Sequence, residues 1–181
     1  MRDTLAGRIC LCLLMLMPAL LFASCARGAP CAPDFARENF TAAVEVTRGD
    51  FVYSAEYTRA DGGETLRFTA PASLAGLCAA TAADGCTLSV GTVTATVPDG
   101  GIFAPFGLFD VPDSCLTESR EADGLTVYTG RRGDDSYAVA VDGAGVPVQL
   151  SGCVGGCEAQ IRVLKFVQIP PRAGEKGNAH E

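Results

Sequence analysis

The chain has 181 residues, a formal net charge of −7 and a hydrophobic fraction of 48%. This length suits one domain with a substantial core, and an acidic chain without a cluster of Lys and Arg argues against nucleic acid as a partner. The single histidine, His180, lies in the last residues of the sequence. Catalysis by a Ser-His-Asp or Cys-His arrangement, or by a histidine-ligated zinc ion, is therefore not expected.

The first residues have the layout of a secretory signal. Arg2 and Arg8 precede a largely apolar run at 9–22, and two small residues follow it. The run is shorter than the about 20 apolar residues that a membrane-spanning helix needs. This order of basic, apolar and small residues predicts export.

The end of this stretch, Phe22-Ala23-Ser24-Cys25, resembles the bacterial lipobox, with Phe22 at a position that usually holds Leu, Val or Ile. The resemblance implies that residues 1–24 are a lipoprotein signal peptide. It also implies that Cys25 carries a lipid, which anchors the protein to the outer face of the cell membrane or to the envelope. Plain secretion, with cleavage a few residues later and no lipid, is the alternative.

Six cysteines follow Cys25, and an even number in an exported domain predicts disulfides. The expected pairs are Cys78 with Cys86, Cys153 with Cys157 and, by subtraction, Cys31 with Cys115. A four-cysteine zinc site is the rival interpretation, but the spacing of Cys78 and Cys86 is not typical of one. A redox Cys-x-x-Cys motif is absent from the sequence, and we expect neither a metal nor a cofactor.

The remaining sequence predicts a tether at 25–37, a single antiparallel β domain at 38–169 and a disordered tail at 170–181. Residues 40–47 and 51–58 alternate apolar and polar side chains with a turn between them, as in a hairpin of half-buried strands. Further strand patterns follow at 66–70, 86–97, 125–128, 137–141, 146–150 and 158–169.

Helix is expected only in two short pieces, at 72–76 and at 113–122. In 86–97 the alternation changes phase at Gly91, which indicates a bulge or a tight reversal. The sum is a mainly β (α+β) fold: a strongly curved antiparallel sheet or half-barrel of eight to ten strands with one or two short helices.

Two motifs resemble the periplasmic lipoprotein-carrier superfamily (LolA/LppX-like). One is Phe68-Thr69-Ala70-Pro71 with a short turn toward Gly76-Leu77, and the other is the run Tyr137-Ala138-Val139-Ala140-Val141-Asp142-Gly143-Ala144-Gly145-Val146-Pro147. The resemblance implies a curved antiparallel half-barrel closed by helices over an apolar cavity.

One stretch without a clean period carries five large apolar residues: Ile102, Phe103, Phe106, Leu108 and Phe109. They either fill the open side of the core or line a cavity for a lipid-like ligand. We therefore expect a non-enzymatic envelope lipoprotein that binds an apolar ligand or an envelope partner. The alternatives are a structural or adaptor domain without a small ligand, and an enzyme that uses carboxylates alone.

Overall fold

The computed structural model describes residues 30–83, 85–98 and 101–170. The strands of this part of the chain are β1 (Phe40–Arg48), β2 (Phe51–Ala60), β3 (Gly63–Ala70), β4 (Leu77–Ala82), β5 (Gly85–Val90), β6 (Val93–Val97), β7 (Leu116–Ala122), β8 (Leu125–Arg132), β9 (Asp135–Val141), β10 (Pro147–Val154) and β11 (Cys157–Gln168). Three short 3₁₀ helices lie at Asp34–Arg37, Ala104–Phe109 and Asp113–Cys115.

The eleven described strands form one open sheet in the order β6-β5-β4-β3-β2-β1-β11-β10-β9-β8-β7. Every neighbouring pair is antiparallel, and all but one are consecutive in sequence. The exception is β1 with β11, which joins the two ends of the domain at the centre of the sheet. The prediction of a mainly β fold on a curved antiparallel sheet is confirmed.

The alternating sequence explains the central strands. In β1 the four alternate residues from Phe40 to Val46 are at most 1% exposed, whereas the residues between them face outward. The turn into β2 requires a left-handed backbone conformation, and Gly49 supplies it with a φ of 57°. Alternation and turn therefore set the same register.

The described sheet has eleven strands rather than the eight to ten predicted, for three reasons. Small residues dominate β4, and the sequence analysis did not predict this strand. The chain reverses tightly at Gly91, which is one of the two alternatives that the change of phase indicated, so that residues 86–97 form the two strands of the β5–β6 hairpin. Residues 113–122, predicted as a helix, contain one 3₁₀ turn followed by the strand β7. Since β7 is exposed along most of its length, it lacks the apolar alternation that marks a half-buried strand. The predicted helix at 72–76 is a series of turns.

One face of the sheet, here called the inner face, carries the core. The buried side chains of β1, β2, β9 and β11 alternate onto this face, and the segment between β6 and β7 packs against it. No charged or polar residue belongs to the buried class in the described ranges. Within the same ranges, no helix is long and apolar enough to cross a membrane.

The segment before β1 differs from the predicted tether. Ala32 and Phe35 are 5% and 2% exposed, and the Phe35 ring meets those of Phe109 and Phe166 edge to face at 6.1 and 6.3 Å. Residues 30–37 therefore pack as part of the domain. The predicted signal peptide and all but the first residue of the predicted tail lie outside the described residues.

Candidate ligand-binding site

The inner face is covered by residues 101–111, here called the covering segment. Its 3₁₀ helix, Ala104–Phe109, contacts β10 and β11. The approach is close at Gly107, where an added Cβ would lie 2.8 Å from Cγ1 of Val154. A side chain at this position would push the helix away from β10.

Aromatic stacking attaches the covering segment to the centre of the sheet. The Tyr57 ring stacks on Phe106 at 4.4 Å and on Phe109 at 5.5 Å between centroids, and Phe40 lies 5.1 Å from Phe109. Such ring pairs stabilise packing beyond the area they bury. Burial raises the pKa of the Tyr57 hydroxyl well above its usual range, and the hydroxyl donates to Glu64 Oε1.

The structure places the five apolar residues singled out in the sequence on this segment. Phe106, Leu108 and Phe109 are fully buried, Phe103 is 9% exposed, and Ile102 is partly buried against the core. Their side chains fill space above the inner face, as the core interpretation predicts. We hypothesise that they also hold a ligand.

Arg59 of β2 joins the covering segment to the segment before β1. Its guanidinium donates to the carbonyl oxygens of Phe35 and Ala36 at 2.8 and 2.9 Å, and to Asp110 Oδ1 at 2.5 Å. The guanidinium carbon also lies 4.7 Å from the centroid of the Phe40 ring. With its side chain only 14% exposed, Arg59 supplies donors to carbonyl oxygens at the end of the first 3₁₀ helix, where few backbone amides remain to satisfy them.

Asp113 makes a second connection at the same end of the sheet. The Ala32 amide donates to Asp113 Oδ1 at 2.6 Å, and Arg37 forms an ion pair with the other carboxylate oxygen. The hydrogen bond from the Ala32 amide is the main cause of the lowered pKa of Asp113, and the charge of Arg37 lowers this pKa further. Both ion-pair partners are about half exposed, so the pair itself contributes little to stability.

Beside these connections lies a cavity of about 440 Å³, here called the flank cavity. It falls between the segment before β1, the β9–β10 turn and the inner face, and its size is within the range of small-molecule sites, about 300–1,000 Å³. The lining residues are Cys31, Ala32, Pro33, Asp34, Phe35, Glu38, Tyr128, Val141, Ala144, Gly145, Val146, Phe166 and Gln168. Three aromatic rings and several aliphatic side chains line it together with two carboxyl groups, and polar and apolar surface contribute about equally to the wall.

Two further cavities are described, each of about 570 Å³. One adjoins the flank cavity at Glu38 and Gln168 and is lined by polar groups and the end of the described chain. The other is lined mainly by small and polar residues of β9, β10 and β11, among them Ser136 and Ser151. Neither has an aromatic wall like that of the flank cavity.

The predicted disulfides are absent from the described part of the chain. Cys78 is opposite Ser89 and Cys86 is opposite Thr81, so the two cysteines project from opposite faces of the sheet. Strand pairing separates the second pair in the same way.

In the β10–β11 hairpin, Cys153 pairs with Glu158 and Cys157 pairs with Val154, so these two cysteines also project from different faces of the sheet. Cys31 is exposed and Cys115 is buried. Spacing along the sequence suggested these pairs, but the strand register decides which thiols can meet. Cys25, the predicted site of lipid attachment, lies outside the described residues.

The zinc interpretation has no cluster to support it in the described ranges, where no three His, Cys, Asp or Glu residues are placed to hold a metal ion.

The flank cavity is the arrangement with the chemistry of a binding site. Sequence reasoning missed Glu38, which lines the cavity, and Arg59, which holds the neighbouring segment. Both stand at ordinary loop and strand-end positions, where no motif marks them.

No family model and no curated protein matches the chain. Solved structures similar to it include the LolA superfamily protein NE2245 from Nitrosomonas europaea, at 10% identity over 77% of this chain and 90% of that one, with a TM-score of 0.35. The Mycobacterium tuberculosis lipoprotein LppX is similar at 13% identity over 74% and 88%, with a TM-score of 0.41.

MucB is similar at 12% identity and a TM-score of 0.44, and the chain spans 58% of its length. The neighbours thus include the superfamily that the sequence motifs resemble. All three TM-scores are below 0.5, so the likeness carries no argument about ligand, partner or activity.

Proposed function

We propose that the protein is an exported envelope lipoprotein, anchored through Cys25, whose β domain binds an apolar or lipid-like ligand without catalysing a reaction. The observation that supports binding is the flank cavity, with about 440 Å³ of space and aromatic walls on the inner face. Anchoring is supported by the lipobox-like sequence that ends at Cys25.

In this proposal the covering segment extends the apolar wall. Phe35 lines the flank cavity and also contacts the Phe109 ring, so the cavity is one ring away from the stacked aromatics. A 3₁₀ helix has poorer hydrogen-bond geometry than an α-helix, and that of the covering segment has no side-chain cap. A ligand too large for the cavity would therefore displace Ile102, Phe103, Phe106, Leu108 and Phe109 before it displaced a strand.

The binding proposal is tested by native mass spectrometry of the full chain extracted in mild detergent, with a Val146→Phe variant. Val146 lines the cavity and is partly exposed, so a larger side chain fills the space with little disturbance of the core. The control is Val90→Phe, at a position of β5 that is 55% exposed and does not line the cavity.

We expect co-purifying lipid with the wild-type and Val90→Phe proteins and at least a several-fold loss with Val146→Phe. Equal lipid content in the wild-type, Val90→Phe and Val146→Phe proteins would show that the lipid binds outside the flank cavity. Protein without bound lipid that also fails to bind a twelve-carbon alcohol would refute the proposal. The anchor is tested separately, because an unmodified Cys25 in the mass spectrum of the mature N-terminal peptide refutes it alone.

A second candidate is an interaction domain that acts through a sheet edge. It is favoured by β6, an edge strand of the described sheet whose residues, from Val93 to Val97, include no charged side chain. Uncharged, exposed edge strands are templates for pairing with another strand. Sedimentation velocity of variants at the two sheet edges tests this candidate.

A further inference from the structure

The last half of β11 has a partner strand on one side only. Its pairing with β1 continues to Gln168, whereas its pairing with β10 ends where Arg162 is opposite Gln149. Residues 163–168 therefore present one row of backbone groups to β1 and a second row to a gap beside β10. Within the described ranges, no other strand or loop forms backbone hydrogen bonds with this second row.

The hydrogen-bond pattern identifies the residues of the second row. The Ile169 amide donates to the carbonyl oxygen of Asn39 at 2.8 Å, so these residues form a hydrogen-bonded pair that continues the β1–β11 ladder. In an antiparallel ladder such pairs alternate with pairs that are not hydrogen-bonded. Phe166 and Gln168 therefore direct their N–H and C=O groups away from β1. Both residues line the flank cavity, so the open row of backbone groups borders this cavity.

The β9–β10 turn on the other side of the gap has its own hydrogen bonds and does not pair with β11. The Asp142 carboxylate accepts from the amides of Ala144 and Val146, each at 2.9 Å, and the Asp142 amide donates to the Val146 carbonyl oxygen. Pro147, the first residue of β10, has no N–H to offer a neighbouring strand. The gap is therefore built into the fold, and an extended chain can enter it.

The side chains around the gap favour a strand that is both apolar and basic. Leu164 and Val167, on the unpaired half of β11, are 55% and 47% exposed, and an added strand would cover them. On the inner face, alternate side chains of that strand would enter the flank cavity. Its described lining includes Asp34 and Glu38 but neither Lys nor Arg, and the chain as a whole carries a net charge of −7. Complementary charge on a partner favours encounter and selects against acidic competitors.

We propose that residues 163–168 of β11 bind an extended, basic segment of a partner protein by strand addition. Backbone hydrogen bonds with Phe166 and Gln168 supply affinity, and the alternating apolar and basic side chains of the segment supply specificity. The open row accommodates a strand about 20 Å long. The inference goes beyond the proposed function, because it concerns a protein partner and does not depend on a lipid-like ligand.

The test compares three capped peptides on the full-length protein at neutral pH. The probe has the sequence Val-Lys-Val-Thr-Val-Lys-Val, the second peptide has glutamate in place of both lysines, and the third has proline in place of threonine, which opposes a strand. Fluorescence anisotropy of the labelled peptides measures affinity. We expect the probe to bind at least about tenfold more tightly than either of the other two. Equal binding of the glutamate peptide would overturn the basic character of the partner, and equal binding of the proline peptide would overturn strand addition.

Hydrogen exchange followed by NMR locates the bound peptide without any substitution. In the free protein the amides of Phe166 and Gln168 should exchange faster than those of Lys165 and Val167, which belong to the hydrogen-bonded pairs with β1. The probe should slow exchange at Phe166 and Gln168 by about tenfold or more. Protection of the β6 amides instead, or of neither strand, would overturn the assignment to β11.

A matched pair of variants at Gln168 separates the backbone from the side chain. Gln168→Pro removes one donor of the open row, at a position where proline is tolerated because the N–H does not bond to the neighbouring strand. Gln168→Ala removes the same side chain and keeps the N–H. We expect Gln168→Pro to lower the affinity for the probe by about tenfold and Gln168→Ala to change it by less than about twofold, with circular dichroism showing that both variants fold. Equal weakening by the two substitutions, or a wild-type protein that does not bind the probe, would overturn the proposal.

Discussion

The centre of the sheet and its β4–β6 arm have similar strand sequences but are buried to different extents. Under the covering segment, Tyr57 and Phe106 are fully buried, whereas in the arm Val90 and Val93 are 55% and 71% exposed. Both regions alternate β-branched and small residues, as strands do. The covering segment packs over the centre, whereas the arm buries only small side chains such as Ala79 and Cys86 and ends in the exposed β5–β6 turn. The alternating pattern therefore predicts a strand in both regions, but the centre should contribute more of the stability.

The sharpest test of this difference is one substitution in each region. Phe106→Ala removes a buried ring stacked on Tyr57 and should lower the free energy of unfolding by about 3–5 kcal/mol. Val93→Ala in the arm should change it by about 0.5 kcal/mol or less. Urea unfolding followed by circular dichroism measures both, and similar losses would show that the arm is packed in solution.

Alkaline pH should weaken the centre and spare the arm, because β4–β6 contain no tyrosine. Burial, with smaller contributions from neighbouring charges, raises the pKa of Tyr53 to about 12. The neutral phenol is therefore favoured in the folded state. Its stabilising effect is complete below pH 10, the ordinary tyrosine pKa, and is lost as the pH rises from 10 towards 12.

The share of Tyr53 in this loss is on the order of 2–3 kcal/mol by pH 12, and Tyr53→Phe should remove that share. Tyr57, whose pKa burial raises further, loses its own share over the same range and is unchanged in the variant. Urea unfolding at several pH values from 9 upward measures the free energy, and absorbance at 295 nm measures phenolate. If the Tyr53→Phe variant loses as much stability over this range as the wild type does, Tyr53 is not the cause.

The same contrast shows how far the sequence could predict the structure. Alternation in residues 40–47 and 51–58 was enough for β1 and β2, because one face of each is buried. Alternation did not predict β7, because its exposed residues, such as Glu118 and Arg120, are equally compatible with a surface helix. Pairing with β8 decided that segment, and pairing partners are not visible in a local pattern.

The candidate site was only partly predictable. The density of large apolar residues around Phe106 marked the covering segment without showing whether the residues would fill the core or line a cavity. Glu38 lines the flank cavity, and Arg59 of β2 holds the segment before β1 beside it, so the cavity depends on the β1–β2 register and on the fold of that segment. Contacts between segments that are distant in sequence produce no regular spacing of residues, so a sequence pattern cannot predict them.

The two edge strands of the described sheet, β6 and β7, differ in charge, and we expect this difference to have a small effect on self-association. The β7 edge carries Glu118, Arg120 and Glu121, and charged side chains oppose pairing with another chain. The β6 edge reads Val-Thr-Ala-Thr-Val, a sequence that is identical in both directions. An antiparallel copy centred on Ala95 would place valine opposite valine and threonine opposite threonine, which are favourable cross-strand pairs.

We therefore predict weak, concentration-dependent self-association through β6, measured by sedimentation velocity on the full chain. Thr94→Lys should abolish it, because a two-fold pairing brings two lysines close together, and should change the unfolding free energy by no more than about 0.5 kcal/mol. Ser119→Lys on β7 is the control and should leave association unchanged. A wild-type protein that stays monomeric at high concentration would show that the uncharged edge is protected. An equal effect of both substitutions would show that net charge, not the edge, controls association.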